Sequence, residues 1–316
     1  MHTDTNLGFV FPGQGSQSIG MLAELAAGER LVRETFEQAS DAVGTDLWRL
    51  SQEGPEDSLN RTDLTQPALL AAGVAVWRVW CAHGGSAPAI LAGHSLGEYT
   101  ALVCADAFGL EDAARVVHDR GRFMQEAVPA GEGAMAAILG LEDEQVREIC
   151  EAARGNEVVS AVNYNAPGQV VVAGSRAAVE RAVERAKEAG AKRAVTLPVS
   201  VPSHCSLMEP AAERLKERLA TVALSAPRIP VLHNVDVTAA ESAESIRDRL
   251  VRQLFNPVRW VETIHAMRER GVTRLVEAGP GKVLTGLNRR IERRMPIKPV
   301  MDPKTLEAAL EEEGAS

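Results

Sequence analysis

Gly93-His94-Ser95-Leu96-Gly97 has the G-x-S-x-G spacing that exposes a serine nucleophile when it joins a strand to a helix. The apolar run 90–92 before it suits a buried strand, and residues 98–104 after it read as the first turns of a helix. Gly93 and Gly97 leave room around a strained turn, so Ser95 can present its hydroxyl at the top of a sheet. The helix start behind it offers unpaired N–H groups and a positive dipole end to an oxyanion. This context selects Ser95 as the nucleophile.

A serine nucleophile needs a base, and seven histidines compete for that role. His2 is terminal, and His94 adjoins Ser95 in a tight turn, where its ring should point away. His83, His118 and His265 fall in helical stretches, and His233 in a strand. His204 lies in a Pro/Ser-rich loop facing a helix start, where loops usually carry chemistry. It is the candidate base, against the alternative of a helix cap or a buried structural histidine. In a serine hydrolase an acid between Ser and His in the chain orients the imidazole. Here no acid in that interval falls in an evident post-strand loop, which weakens a plain esterase or thioesterase reading.

Two glycine-rich loops invite a nucleotide reading, and both lack a required residue. Gly13-x-Gly15 follows a first strand, but Ser18 stands where a dinucleotide fold needs its third glycine. In Gly279-Pro-Gly-Lys282, Val283 replaces the Ser/Thr of a P-loop.

The elements that must position Ser95 and His204 follow from composition and patterning. The 316 residues are 45% hydrophobic and 24% charged, as expected of a globular α/β protein. Gly13, Gln14 and Gly15 interrupt any signal-peptide pattern, and the longest apolar stretch, 68–77, is too short to span a bilayer. Four scattered cysteines form no C-x-x-C pair, so neither a metal site nor a disulfide framework is expected, and a cytoplasmic protein is. A net charge of −9 argues against nucleic acid as a partner.

A buried strand is expected at 7–11, with helices near 19–27 and 30–43. A Gly/Pro/Asn-rich passage leads to Gln66-Pro67, followed by an apolar helix over 68–82. After Ser95, residues 110–128 carry apolar side chains at helical spacing, with Arg115, Arg120 and Arg122 interleaved. From 134 to 198 the pattern reads β-α-β-β-α-β, a ferredoxin-like unit. Its elements are strands at 134–139, 157–164, 169–173 and 192–198, with helices at 143–153 and 175–189. The chain then resumes with a helix at 207–219, a strand at 231–235, helices near 243–254 and 258–270, and a strand at 273–277. Another helix opens at 279–285, and the acidic tail 306–316 should fray at its end. The expected architecture is a large α/β-hydrolase-like domain with a parallel sheet (1–129 and 199–316), interrupted by a ferredoxin-like subdomain (130–198).

Several motifs together resemble the bacterial malonyl-CoA:acyl carrier protein transacylases. They are Pro12-Gly-Gln-Gly-Ser-Gln17, Gly93-His-Ser-Leu-Gly-Glu98, Arg120-Gly-Arg-Phe-Met-Gln125 and Asn163-x-Asn165-x-Pro-Gly-Gln169. Val201-Pro-Ser-His204, Arg252-Gln-Leu-Phe-Asn-Pro257 and Gly279-Pro-Gly-Lys282 complete the set, in the family's order over 7–300.

The resemblance implies ping-pong transfer of malonyl from malonyl-CoA to the phosphopantetheine thiol of acyl carrier protein, in type II fatty-acid synthesis, without a resident cofactor or metal. Ser95 would be the nucleophile and His204 the base, oriented by the backbone carbonyl of Gln253, which would account for the missing acid. Backbone N–H groups of Gln14 and Leu96 would form the oxyanion hole. Arg120 would hold the malonyl carboxylate, with Gln14, Met124, Asn163, Asn165 and Ser203 also in contact with substrate. Carrier proteins are acidic, so docking against a net negative enzyme calls for a local basic patch. Lys192, Arg193, Lys282, Arg289 and Arg290 are the candidates. A monomer is expected. Trans-acting polyketide acyltransferases share much of this pattern, and a non-catalytic carrier-binding subunit would not need Ser95, His204 and Arg120 together.

Overall fold

The structure is a computed structural model that describes residues 2–199 and 201–314. Nine strands form among these residues: β1 (Thr3–Phe11), β2 (Ala87–Gly93), β3 (Gly133–Leu139), β4 (Val159–Ala166), β5 (Gln169–Ser175), β6 (Arg193–Thr196), β7 (Val231–Leu232), β8 (Arg274–Ala278) and β9 (Ile297–Val300). They make two sheets. One has the order β7-β2-β1-β8-β9 and is parallel throughout. The other has the order β4-β5-β3-β6 and is antiparallel.

Leu7 to Phe11 are all buried, because β1 is the central strand and is covered on both faces. Phe9, Phe11 and Leu91 pack into one core beneath the helix Thr62–Ala82, with the Phe9 ring edge-on to Trp80 at 5.1 Å. Val10, Ile90 and Ala92 face the other way, onto Trp260, Ile264 and Met267. Alternation along the strands thus assigns each side chain to one of two cores, each buried side chain contributing about 2 kcal/mol. The small sheet has its own core, built from alternate residues of β3 and β5 against the helices Asp143–Arg154 and Arg176–Glu188.

The parallel sheet with a separate small β-α-β-β-α-β sheet is the expected fold class. Local differences have identifiable causes. The apolar helix begins at Thr62, six residues early, with Pro67 inside it. A proline lacks the N–H that would bond the carbonyl four residues back. That carbonyl belongs to Asp63, and it bonds His118 Nδ1 at 2.9 Å instead. His118 is therefore a structural partner of the helix.

The strand expected at 231–235 stops at Leu232, since the N–H of Asn234 turns away to the Glu98 side chain. Helix 258–270 starts only at Trp260, because Val258 pairs with β4 through Val162 and Tyr164. The first helix is confined to Ala23–Gly28, behind a left-handed Leu22. The passage before residue 62 contains two short helices, Leu47–Glu53 and Glu56–Leu59. Strand β9 and the helix Pro303–Gly314 are not among the expected elements; residues 315–316, where the tail is expected to fray, and residues 1 and 200 lie outside the described residues.

Candidate active site

The site sits where β2 ends and the helix Gly97–Cys104 begins. A Cβ on Gly93 would lie 1.8 Å from the Gly97 carbonyl carbon, and one on Gly97 2.1 Å from the Phe11 carbonyl oxygen. Only glycine lets the chain turn this tightly against β1. Ser95 is held at φ 51°, in the left-handed region.

Ser95 Oγ is 2.8 Å from His204 Nε2, and His204 Nδ1 donates to the Gln253 backbone carbonyl at 2.8 Å. The second bond fixes the tautomer, leaving Nε2 free to accept a proton. His204 also has positive φ, 66°, and its backbone N–H is tied to the Leu254 carbonyl at 3.0 Å. Burial, reinforced by the nearby Arg120 charge, pushes the imidazole pKa down to about 3. It is therefore neutral at ordinary pH.

Arg120 is 2% exposed, and its hydrogen-bond partners are neutral. Nη1 donates to Gln66 Oε1 at 2.7 Å, while Nη2 donates to Gln253 Oε1 at 3.0 Å and reaches Ser95 Oγ at 3.3 Å. Nε is buried without a partner among the described residues. Desolvation lowers the guanidinium's pKa, partly offset by Tyr99 and Glu98 nearby. A buried cation with an unsatisfied edge is costly unless an anion joins it.

A cleft of about 120 Å³ collects most of the candidate residues. Gln14, Ser95, Leu96, Arg120, Met124, Asn163, Ser203 and His204 line it together with His94. Asn165 stands behind the wall, 2.8 Å from His94 Nε2 through its Oδ1. The His94 ring is held by Asn165 and by the Trp260 ring 5.4 Å off, neither of which lines the cleft. Gln253 is not on the cleft wall and reaches the site through its backbone carbonyl at His204 and its Oε1 at Arg120. Asn163 Oδ1 is buried with no partner among the described residues. Leu96 begins the helix and Gln14 sits in the exposed loop after β1, held to Thr62 Oγ1 at 3.4 Å.

The basic candidates lie outside this cleft and are exposed. Arg290 bonds Gln169 Oε1 at 2.6 Å and the Pro167 carbonyl at 3.1 Å, while the Lys192 stem covers Gly140 beside the same turn. Arg193 pairs with Leu139 at the sheet edge, and Lys282 follows a loop packed on Ser16. The helix after Lys282 already has its first N–H groups bonded to Glu277, at 2.9 Å from Leu284 and 2.7 Å from Thr285. No phosphate is needed there.

Sequence reasoning passed over Gln66, Glu98 and Asn234. Gln66 was detectable as a polar side chain in an apolar helix, and Glu98 as the end of the serine motif. Asn234 carries no sequence signal of its own, since only the fold brings it to Ser95. Among the described residues no cluster of three His, Cys, Asp or Glu side chains could hold a metal ion, and no helix is long and apolar enough to cross a membrane.

Residues 8–300 match the family model described as the acyl transferase domain. The chain is 57% identical over 307 residues to the malonyl CoA-acyl carrier protein transacylase of Escherichia coli O157:H7, covering 97% of this chain and 99% of that one. It superposes on the malonyl-CoA:acyl carrier protein transacylase of Xanthomonas oryzae pv. oryzae with a TM-score of 0.97, at 54% identity over 98% of this chain and 99% of that one. A malonyl-transacylase solved in complex with a type II PKS acyl-carrier protein gives 0.96, at 54% identity over 97% and 99%.

Proposed function

Because the chain belongs to the acyl transferase family, we propose that its cleft moves a malonyl group from malonyl-CoA to the thiol of an acyl carrier protein, in fatty-acid synthesis. The observation that carries the reading is the buried Arg120 guanidinium, 3.3 Å from Ser95 Oγ, with Nε unpaired. A nucleophile beside a dry cation suits an acyl group that is itself an anion. A guanidinium can grip a carboxylate in two parallel hydrogen bonds once the anion displaces one of its neutral partners, which a lysine cannot do.

The proposed steps use the neutral His204 and the Ser95 hydroxyl bonded to it. His204 Nε2 takes the Ser95 proton as Oγ attacks the thioester carbon, and the carbonyl oxygen becomes an oxyanion facing the N–H groups of Gln14 and Leu96. The carbon–sulfur bond breaks, and the CoA sulfur leaves with the proton from His204. The carrier's thiol then gives its proton to His204 and attacks the malonyl-serine ester. Oγ leaves and recovers the proton. Asn163 Oδ1 supplies an acceptor for an amide N–H of the incoming arm, and Met124 and Ser203 line its path. The exposed Lys192, Arg193, Lys282, Arg289 and Arg290 attract the acidic carrier. The enzyme works without a resident cofactor, as a cytoplasmic monomer that meets its carrier transiently.

Intact-protein mass after brief exposure to malonyl-CoA tests the reading. A malonyl adduct absent from Ser95→Ala, stable in buffer and discharged by holo carrier protein, supports it. An adduct lost equally fast to water makes the protein a hydrolase. Running the discharge with fatty-acid and polyketide carriers side by side separates the two pathways.

A further inference from the structure

Both backbone polar groups of Ser95 are held by side chains. Its N–H donates to Asn234 Oδ1 at 2.7 Å, and its carbonyl accepts from Gln253 Nε2 at 3.0 Å. Asn234 Nδ2 donates to the Gly93 carbonyl at 2.7 Å, so one side chain spans the turn. The fully buried Glu98 carboxylate joins the two clamps. One of its oxygens accepts from the Asn234 backbone N–H at 2.8 Å and from Gln253 Nε2 at 3.0 Å. The other accepts from His233 Nδ1 at 2.7 Å.

A left-handed non-glycine residue costs about 1–2 kcal/mol, and such a conformation persists only where its surroundings over-determine it. Ser95 is that case, and no ordinary strand or helix bond holds its N–H. We infer that Asn234 and Glu98 are positioning residues for the transfer: Asn234 braces the serine turn, and Glu98 sets the reach of Asn234 and Gln253. The inference rests on the reading of Ser95 as nucleophile. It has a chemical corollary. With its own N–H bonded to Asn234, Ser95 contributes none to the oxyanion, and the task passes to the next N–H, that of Leu96.

Two substitutions at Glu98 separate reach from charge. Glu98→Gln keeps the length: its amide oxygen can serve Asn234 and Gln253, while its nitrogen faces His233, which exchanges tautomer. Glu98→Asp keeps the charge but retracts by one carbon–carbon bond, about 1.5 Å, which takes both contacts beyond hydrogen-bond range.

Burst kinetics of Ser95 acylation by malonyl-CoA, and labelling by a small fluorophosphonate that needs no Arg120, are measured on each variant, with a thermal melt to establish folding. Expected is a Gln variant within about threefold of the unmodified enzyme. The folded Asp and Asn234→Ala variants should be roughly ten- to a hundredfold slower in both reactions, with KM for malonyl-CoA nearly unchanged for Asn234→Ala. If Asn234→Ala does not fold, the Glu98 pair decides alone. An active Asp variant beside a slow Gln variant would overturn the inference, as would unchanged rates in a folded Asn234→Ala protein. A malonyl adduct retained by Ser95→Ala would instead overturn the nucleophile reading beneath it.

Discussion

Replacing Arg120 by alanine tests the reading at its most exposed point. In the free enzyme the guanidinium is 2% exposed and is held between Gln66 Oε1 and Gln253 Oε1. A malonyl carboxylate entering this dry space would have no comparable cation to meet once Arg120 is gone. Leaving one member of a buried ion pair uncompensated costs about 3–5 kcal/mol. At 1.4 kcal/mol per decade, kcat/KM for malonyl-CoA should fall by roughly two to three and a half decades. Acetyl-CoA has no carboxylate to lose, so its transfer should hold or rise. A rise has a second cause, because removing the Arg120 charge makes His204 a stronger base. Lysine should fall between, as a point charge without the bidentate edge. Acyl-enzyme formation with each CoA ester, followed by rapid quench and intact mass, gives both rates on one sample of folded protein. Equal loss on the two substrates would refute the reasoning and make Arg120 a structural residue.

Four further outcomes are expected. With the His204 pKa near 3, the acylation rate should stay flat from pH 8 to about 5, with no fall through the usual imidazole range. The sign for stability is opposite in consequence: the unfolded chain binds this proton at about 6.5, the native one only near 3, so stability declines as pH falls below about 6.5. Acid unfolding, followed by circular dichroism, should therefore precede any kinetic titration of the base. His118→Ala should cost about 1–3 kcal/mol in a urea melt by orphaning the Asp63 carbonyl, and adding Pro67→Ala should recover much of it by restoring an N–H donor. Arg289→Glu should raise KM for the carrier without changing acylation by malonyl-CoA, whereas Arg290→Glu should also lower the melting temperature by releasing Pro167 and Gln169.

What could be read from the sequence was whatever is local. The serine motif, the β-α-β-β-α-β succession and the central strand each depend on neighbours within a few residues, and each lies where the pattern puts it. Two of the misplaced boundaries lie where a distant partner decides. Pro67 is tolerated because His118 comes from another helix to bond Asp63, and β7 ends early because Glu98 claims the Asn234 N–H. The same division runs through the site. Ser95 has a signature; Asn234, 139 residues away in the chain, has none. The vacant acid position was itself informative, since a backbone carbonyl leaves no trace in residue type.

That carbonyl bears on why such a site would transfer an acyl group instead of hydrolysing it. A carboxylate beside His204 would stabilise the imidazolium and make the ring a stronger base. Here the orienting group is neutral, and burial of the ring together with the nearby Arg120 cation outweighs the backbone hydrogen bonds that favour the imidazolium, so His204 stays a weak base. A weak base discriminates between nucleophiles by their acidity. A thiol, with a pKa of about 8.5, gives up its proton far more readily than water at about 15.7. Deacylation through His204 therefore favours a carrier thiol over solvent, even before access to the narrow cleft is considered. The Arg120 charge then has two effects: it receives the substrate's anionic end, and it holds the base at a strength suited to sulfur. When the malonyl carboxylate neutralises that charge in the acyl-enzyme, burial of the ring, the larger cause, still keeps the base weak, so the preference for sulfur persists through the second transfer.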